Sequence, residues 1–174
     1  MALFEYDGRI PKIGKGSYIA ESAEVIGDVT IGDDCYIGPK AILRGDYGTI
    51  TIGNGSAIEE GAIVHARPMD KTTIGKNVTI GHGAMLHNCT IDDYAVIGMR
   101  ATVSDYAKVE YWGVVAEGSV VINYQTVEKE TVVTGVPAKP KTKIDDNYKN
   151  IWSFAKKIYQ DLANNYPKRL KRID

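Results

Sequence analysis

The chain has 174 residues, a formal net charge of −1 and 25% charged side chains. That is one domain's worth of sequence, long enough to bury a core. There is no basic excess to suggest nucleic acid or an acidic membrane surface as a partner. No apolar run approaches the roughly 18 residues of a membrane span, and Met1 to Gly16 has no hydrophobic signal region. Cys35 and Cys89 are too few for a disulfide framework or a Cys-rich zinc site. A cytoplasmic protein is the expectation.

Residues 1–12 carry no repeat and can cover one end of the array that begins at Ile13. From there an aliphatic residue recurs every six positions: Ile19, Val25, Ile31, Ile37 and Leu43, then Ile52, Ile58 and Val64, then Ile74, Ile80 and Leu86. The series finishes with Ile91, Ile97, Val103, Val109, Val115, Val121, Val127 and Val133. Short indels after Leu43, Val64 and Leu86 are its breaks in register. Neither a helical period nor simple strand alternation produces this step, whereas a repeat architecture does. The fifth place of each unit is mostly small, as at Ala23, Cys35, Ala41, Ser56, Ala62 and Ala84.

Six residues make one short strand and one tight bend. The aliphatic enters a narrow core, and the small residue fits the corner where faces meet. Three units close a triangular coil whose equivalent positions stack about 4.8 Å apart in the next coil. The expected fold is a parallel β-helix of six to seven coils over 1–140, all-β apart from a helix in 141–174. A β-sandwich, with strands every 8–12 residues, predicts no fixed phase of six. Periodicity leaves handedness open, since parallel crossovers are nearly always right-handed. The repeat ends at Gly135-Val136-Pro137-Ala138-Lys139-Pro140. Asp145 or Asp146 then offers an N-cap, and Pro167 should stop the helix near Tyr166. Ile151, Phe154, Ala155, Ile158 and Leu162 form an apolar stripe to pack on the prism or on a neighbouring subunit. Lys168, Arg169, Lys171 and Arg172 read as a solvated tail.

The repeat also places the three histidines. Val64 to Leu86 spans three units, one full coil, so His65 and His87 stack on one edge with backbones about 4.8 Å apart. The same count puts Arg44 below and Ser104 above them. His82 follows Ile80 by two and lies one face earlier, on the order of 10–16 Å from His87 by strand rise. A ligand nitrogen must come within about 2.1 Å of zinc. One chain therefore cannot bring all three imidazoles to one ion, but a closed three-fold ring can, if His82 of each subunit meets His65 and His87 of the next. Taken singly each histidine has an ordinary surface reading; three at mutually explicable positions point to a shared metal.

With His82-Gly83-Ala84-Met85-Leu86-His87, Leu43-Arg44-Gly45-Asp46 upstream, His65 between, and Gly135-Val136-Pro137-Ala138-Lys139 at the end, the chain resembles the γ-class carbonic anhydrase family and its relatives among hexapeptide-repeat proteins. The likeness runs from about residue 8 to 166. It implies a left-handed β-helix and a homotrimer. It also implies one metal per interface on His65, His87 and a neighbour's His82, with zinc usual and iron or cobalt possible. The implied reaction is reversible hydration of carbon dioxide by metal-bound hydroxide. Arg44 and Asp46 resemble the family's pair that bridges subunits and borders the site, with an ordinary intersubunit ion pair as the alternative role.

Departures from the family bear on catalysis. Ala57-Ile58-Glu59-Glu60 stands where the family often has Asn-x-Gln-Asp, so Glu59 replaces the glutamine that orients water; it could accept the water's proton, bind the metal or repel bicarbonate, with a solvated Glu59–Glu60 pair as the alternative. The loop 66–73 carries no shuttling glutamate. Tyr159 matches a helix tyrosine that related short-loop proteins place near the metal, with half-buried helix packing as its other role, while the companion asparagine position is Ala155. A small-molecule substrate is expected. The alternatives are an acetyl-coenzyme A-dependent hexapeptide acyltransferase and a catalytically silent trimeric binding or assembly protein.

Overall fold

The computed structural model describes residues 2–174. The chain winds as a left-handed parallel β-helix, closed by one long C-terminal helix. The first face stacks two-residue strands from Tyr18–Ile19 through Ala57–Ile58, Thr79–Ile80 and Val96–Ile97 up to Thr131–Thr134. The second face carries Ile63–His65, Met85–His87 and Thr102–Val103, and the third carries Lys71–Ile74, Thr90–Ile91 and Lys108–Val109. Two long strands, Glu24–Ile31 and Ile42–Ile52, bend round the corner and join the second and third faces into one sheet. The three indels of the repeat fall at this same corner.

Every repeat aliphatic from Ile19 to Val133 is buried, and the first, Ile13, is half-buried at the open end. The small fifth-place residues are buried with them: Ala23, Cys35, Ala41, Ser56, Ala62 and Ala84. A larger side chain there would push neighbouring faces apart, so the six-residue pattern is a packing rule. Cys35 and Cys89 are buried and unpaired. Burial pushes the Cys89 thiol up to about 12, which makes it a core residue with no thiolate chemistry.

The two ends are finished differently, the first by two short parallel strands. Ala2–Phe4 pairs in parallel with Glu24–Ile26, and Lys12–Ile13 with Thr30–Ile31. At the far end Lys139–Lys143 turns back antiparallel on Thr131–Thr134. An antiparallel closing strand ends the coil where a further parallel turn would leave an open edge.

Helix α1 runs Asp146–Arg169, with Asp145 as N-cap accepting from the Tyr148 N–H at 2.8 Å. Two expectations need correction. Pro167 does not stop the helix; it sits in the last turn, where it removes one N–H donor while Leu170 still donates to the Tyr166 carbonyl at 3.0 Å. Only part of the aliphatic stripe meets the prism: Leu162 packs there and Ala155 lines a cavity against it. Ile151, Phe154 and Ile158 are exposed. The docked face is the one carrying Trp152, Lys156, Tyr159, Ala163 and Tyr166, against Tyr18, Tyr36 and Ala57 of the first face. Aromatic rings and a lysine stem supply that contact, which aliphatic spacing alone does not reveal.

Candidate metal centre and adjoining cavity

Parallel register sets the histidine pair. Arg44 stands beside His65, and His65 beside His87, in three successive coils of the second face. The two rings are 5.0 Å apart between centroids, and His87 Nε2 faces His65 Nδ1 at 3.0 Å. Two nitrogens bound to one tetrahedral ion with bonds of about 2.1 Å lie about 3.4 Å apart, so the spacing of this pair fits two ligands of one ion.

The remote nitrogen of each ring rests on a carboxylate. His65 Nε2 is 3.3 Å from Asp46 Oδ1, and Arg44 Nη1 donates to Asp46 Oδ2 at 2.6 Å. Asp105 accepts from His87 Nδ1 on one oxygen, while Arg67 grips its other oxygen, with Nε at 2.9 Å. Burial alone would raise the Asp46 carboxyl, but the Tyr47 N–H and the Arg44 guanidinium outweigh it and hold it low. Arg67 does the same for Asp105. Desolvation, helped by the Arg44 charge, lowers the pKa of His65 and favours the neutral ring that a metal requires.

His82 lies on another edge. It rides a β-turn closed by the Ala84 N–H on the Gly81 carbonyl at 3.0 Å, with Gly83 left-handed at φ 67°, and this turn thrusts the ring outward to 46% side-chain exposure. Its Nδ1 is 2.6 Å from Glu60 Oε2 and its Nε2 is 3.1 Å from Glu59 Oε2. Tyr36 donates to the second Glu60 oxygen at 2.7 Å. Among the described residues no single-chain group of three or more His, Cys, Asp or Glu could hold an ion. The donor set fits a metal shared between subunits, with two converging imidazoles on one edge and a third presented outward on another.

Beside His82 opens a cavity of ≈ 230 Å³ between α1 and the first face. Glu59, Glu117, Met99, Trp152, Ala155 and Tyr159 help line it, and no lysine or arginine does. Glu59 is buried close to Tyr159; desolvation raises its carboxyl, and burial followed by the Glu59 charge raises the Tyr159 phenol. The structure thus groups the candidate site residues in two places: Arg44, Asp46, His65 and His87 on the second face, and Glu59, His82 and Tyr159 at the cavity. Arg67 and Asp105 escaped sequence reasoning. Asp105 directly follows Ser104 in the predicted ladder, so extending that column by one residue is the signal that could have found it.

A left-handed β-helix carrying paired histidines on one edge and a third on another defines a class of hexapeptide-repeat protein. The family described as bacterial transferase hexapeptide (six repeats) matches residues 10–45 and 71–105. The carnitine operon protein CaiE of Escherichia coli K12 is 36% identical over 163 residues, covering 94% of this chain and 83% of CaiE. A hexapeptide transferase family protein from Anaplasma phagocytophilum superposes with a TM-score of 0.91 at 33% identity, covering 95% of this chain and 98% of that one. A Bacillus cereus protein provisionally classed as an acetyltransferase gives 0.92 at 25% identity, over 95% and 96% of the two chains. The chain belongs to the γ-class carbonic anhydrase-like family of hexapeptide-repeat proteins, alongside CaiE. No helix among the described residues is long and apolar enough to cross a membrane.

Proposed function

We propose that this chain is a cytoplasmic, metal-dependent lyase of carbonic anhydrase type, working as a homotrimer on carbon dioxide. His65 and His87 of one subunit and His82 of its neighbour would hold a divalent ion, zinc first, with iron(II) or cobalt(II) as substitutes. The observation that carries this reading is the 3.0 Å approach of His65 Nδ1 and His87 Nε2, each ring backed by a carboxylate. When bound, the ion supplies Lewis acidity that makes hydroxide available near neutral pH.

The chain's own groups supply the rest. Glu59, beside His82 Nε2 and steadied by Tyr159, is placed to accept a proton leaving the reacting water. Arg44 at the rim fixes Asp46, and through it the His65 ring. The walls formed by Met99, Trp152 and Ala155 keep bulk water from one side of the cavity.

A second reading, acyl transfer from acetyl-coenzyme A, is supported by the relationship to proteins described as transferases. The cavity speaks against it, because two carboxylates line the space that anionic phosphates would approach, with His82 beside them and no lysine or arginine in the lining. A catalytically silent trimer is the third reading. Elemental analysis of protein purified without chelator should give about one transition metal per chain, one for each interface of a closed ring. Stopped-flow measurement should then show carbon dioxide hydration, abolished in His82→Ala. Metal-free protein that binds acetyl-coenzyme A would favour the second reading; metallated protein without hydration would favour the third.

A further inference from the structure

All three histidines share a device that the hexapeptide pattern does not display. Each has a ring nitrogen on a carboxylate whose other oxygen is held by a second donor, and His82 has its second nitrogen on Glu59 as well. Arg44 holds Asp46 for His65, Arg67 holds Asp105 for His87, and Tyr36 holds Glu60 for His82. We propose that Asp46, Asp105 and Glu60 are positioning residues that assign the coordinating nitrogen of each histidine: Nδ1 of His65, Nε2 of His87 and Nε2 of His82. The proposal rests on the metal reading above and adds its outer shell.

Hydrogen-bond polarity fixes the assignment. An ionised carboxylate only accepts, so the imidazole nitrogen against it must carry the proton, and the other nitrogen of a neutral ring then presents a lone pair. For His65 the proton goes to Nε2, for His87 to Nδ1. Their lone pairs therefore point at one another across 3.0 Å, an arrangement that calls for a cation between them. For His82 the 2.6 Å contact with Glu60 claims Nδ1. Nε2 also faces a carboxylate, Glu59, but at the longer distance of 3.1 Å, so the proton on Nε2 is the one a metal would displace. Using Nδ1 on one ring and Nε2 on its stacked neighbour also solves a steric problem. Two rings on equivalent positions of adjacent coils point the same way, and unlike nitrogens let them converge.

The second donors explain why the carboxylates stay where they are. Asp105 projects from the turn after Thr102–Val103, one coil above His87. Arg67 reaches it from the loop after Ile63–His65. That loop is itself pinned: the Arg67 N–H donates to Asn88 Oδ1 at 3.2 Å, and Asn88 Nδ2 donates to Asp70 Oδ2 at 2.9 Å. The short loop that lacks a shuttling glutamate thus contributes an arginine to the site's outer shell.

The test is the tautomer of each ring, read by long-range proton–nitrogen NMR on histidine-labelled protein, together with zinc affinity by chelator competition. In the metal-free protein at pH 8.5, His87 should carry its proton on Nδ1 and His65 on Nε2; zinc loading should keep both and fix His82 as Nδ1–H. Asp105→Asn is nearly isosteric. Arg67 requires an acceptor, so the amide oxygen turns to it and the NH₂ meets His87 Nδ1. The His87 proton should then move to Nε2 and zinc affinity fall about 10–100-fold. A merely structural ion pair would leave the tautomer unmoved. Finding His87 protonated on Nε2 in the unsubstituted protein overturns the assignment whether or not zinc binds. The stated tautomers without zinc uptake would overturn the metal reading alone.

Discussion

The fourth place of the repeat is where this chain spends backbone energy. Asp34, Asn77, Tyr94, Arg100, Tyr106, Trp112, Tyr124 and Glu130 all sit there with φ between 51° and 62°. A residue with a Cβ is disfavoured in that left-handed region by about 1 kcal/mol or more, and a β-branched one by more still. Stacking between coils offsets the cost for the aromatic ones. Tyr94 lies on Trp112 with centroids 5.2 Å apart, and Tyr106 on Tyr124 at 5.0 Å, pairs of a kind that contribute about 0.5–1.5 kcal/mol. Arg100, at φ 57°, has no such ring partner. Arg100→Gly should therefore be close to neutral, because relief of the left-handed strain balances the greater freedom of glycine in the unfolded chain. Arg100→Val should lower the melting temperature by a few degrees, about 1–2 kcal/mol for a chain of this size. Thermal unfolding of the two variants side by side checks this, and a valine variant as stable as wild type would refute the role given to strain.

At the scale of elements, α1 depends on Lys156, which is 4% exposed beneath it. Its Nζ donates to Thr79 Oγ1 at 3.1 Å and to the Ala95 carbonyl at 3.2 Å, and lies 5.6 Å from the ring centroids of both Trp112 and Trp152. Burial pulls its pKa from 10.5 to about 7, with the Glu59 charge opposing. Between those values the unfolded chain binds the proton and the native lysine does not, so native stability rises as pH goes from about 7 towards 10.5. Below pH 7 both states are charged and the desolvation cost is present in full. That cost is on the order of 4–5 kcal/mol, of which the two indoles return about 1 kcal/mol each. Lys156→Met should thus be more stable than wild type by about 1–2 kcal/mol at pH 6, once the two abandoned acceptors are counted. It should also lose the gain above pH 7. Urea unfolding of metal-free protein at pH 6 and pH 9 measures both effects; a less stable methionine variant at pH 6 would mean that burial of the charge is not the dominant cost.

The same helix shows where sequence legibility ended. Six-residue spacing made the prism, its register and the Arg44–His65–His87 column readable, because each coil repeats one local rule. The docked face of α1 was not readable: its central residue is a lysine, which any apolar-stripe reading turns towards solvent. Arg67 and Asp105 were hidden for a related reason. They are 38 positions apart and two coils from each other, and side-chain reach across coils leaves no mark on a six-residue period. Pro167 misled in the opposite sense, since a proline in the last turn costs one backbone bond and need not end a helix.

At the scale of the whole molecule, the decisive property is that one chain offers two converging imidazoles and presents the third on another edge. In a closed three-fold ring, every interface draws His65 and His87 from one side and His82 from the other. Subunits carrying His65→Ala keep a sound His82, and subunits carrying His82→Ala keep a sound His65 and His87. Each variant alone should form trimers with no complete site. When equal amounts are unfolded together and reassembled, an interface is complete only if its first subunit is the His82→Ala chain and its second the His65→Ala chain. Half times half of the interfaces meet that condition, so the mixture should regain about one quarter of the wild-type metal content. Native mass spectrometry establishes that mixed trimers have formed, and elemental analysis counts the ions. Mixed trimers without metal would mean that the three histidines do not meet across the seam.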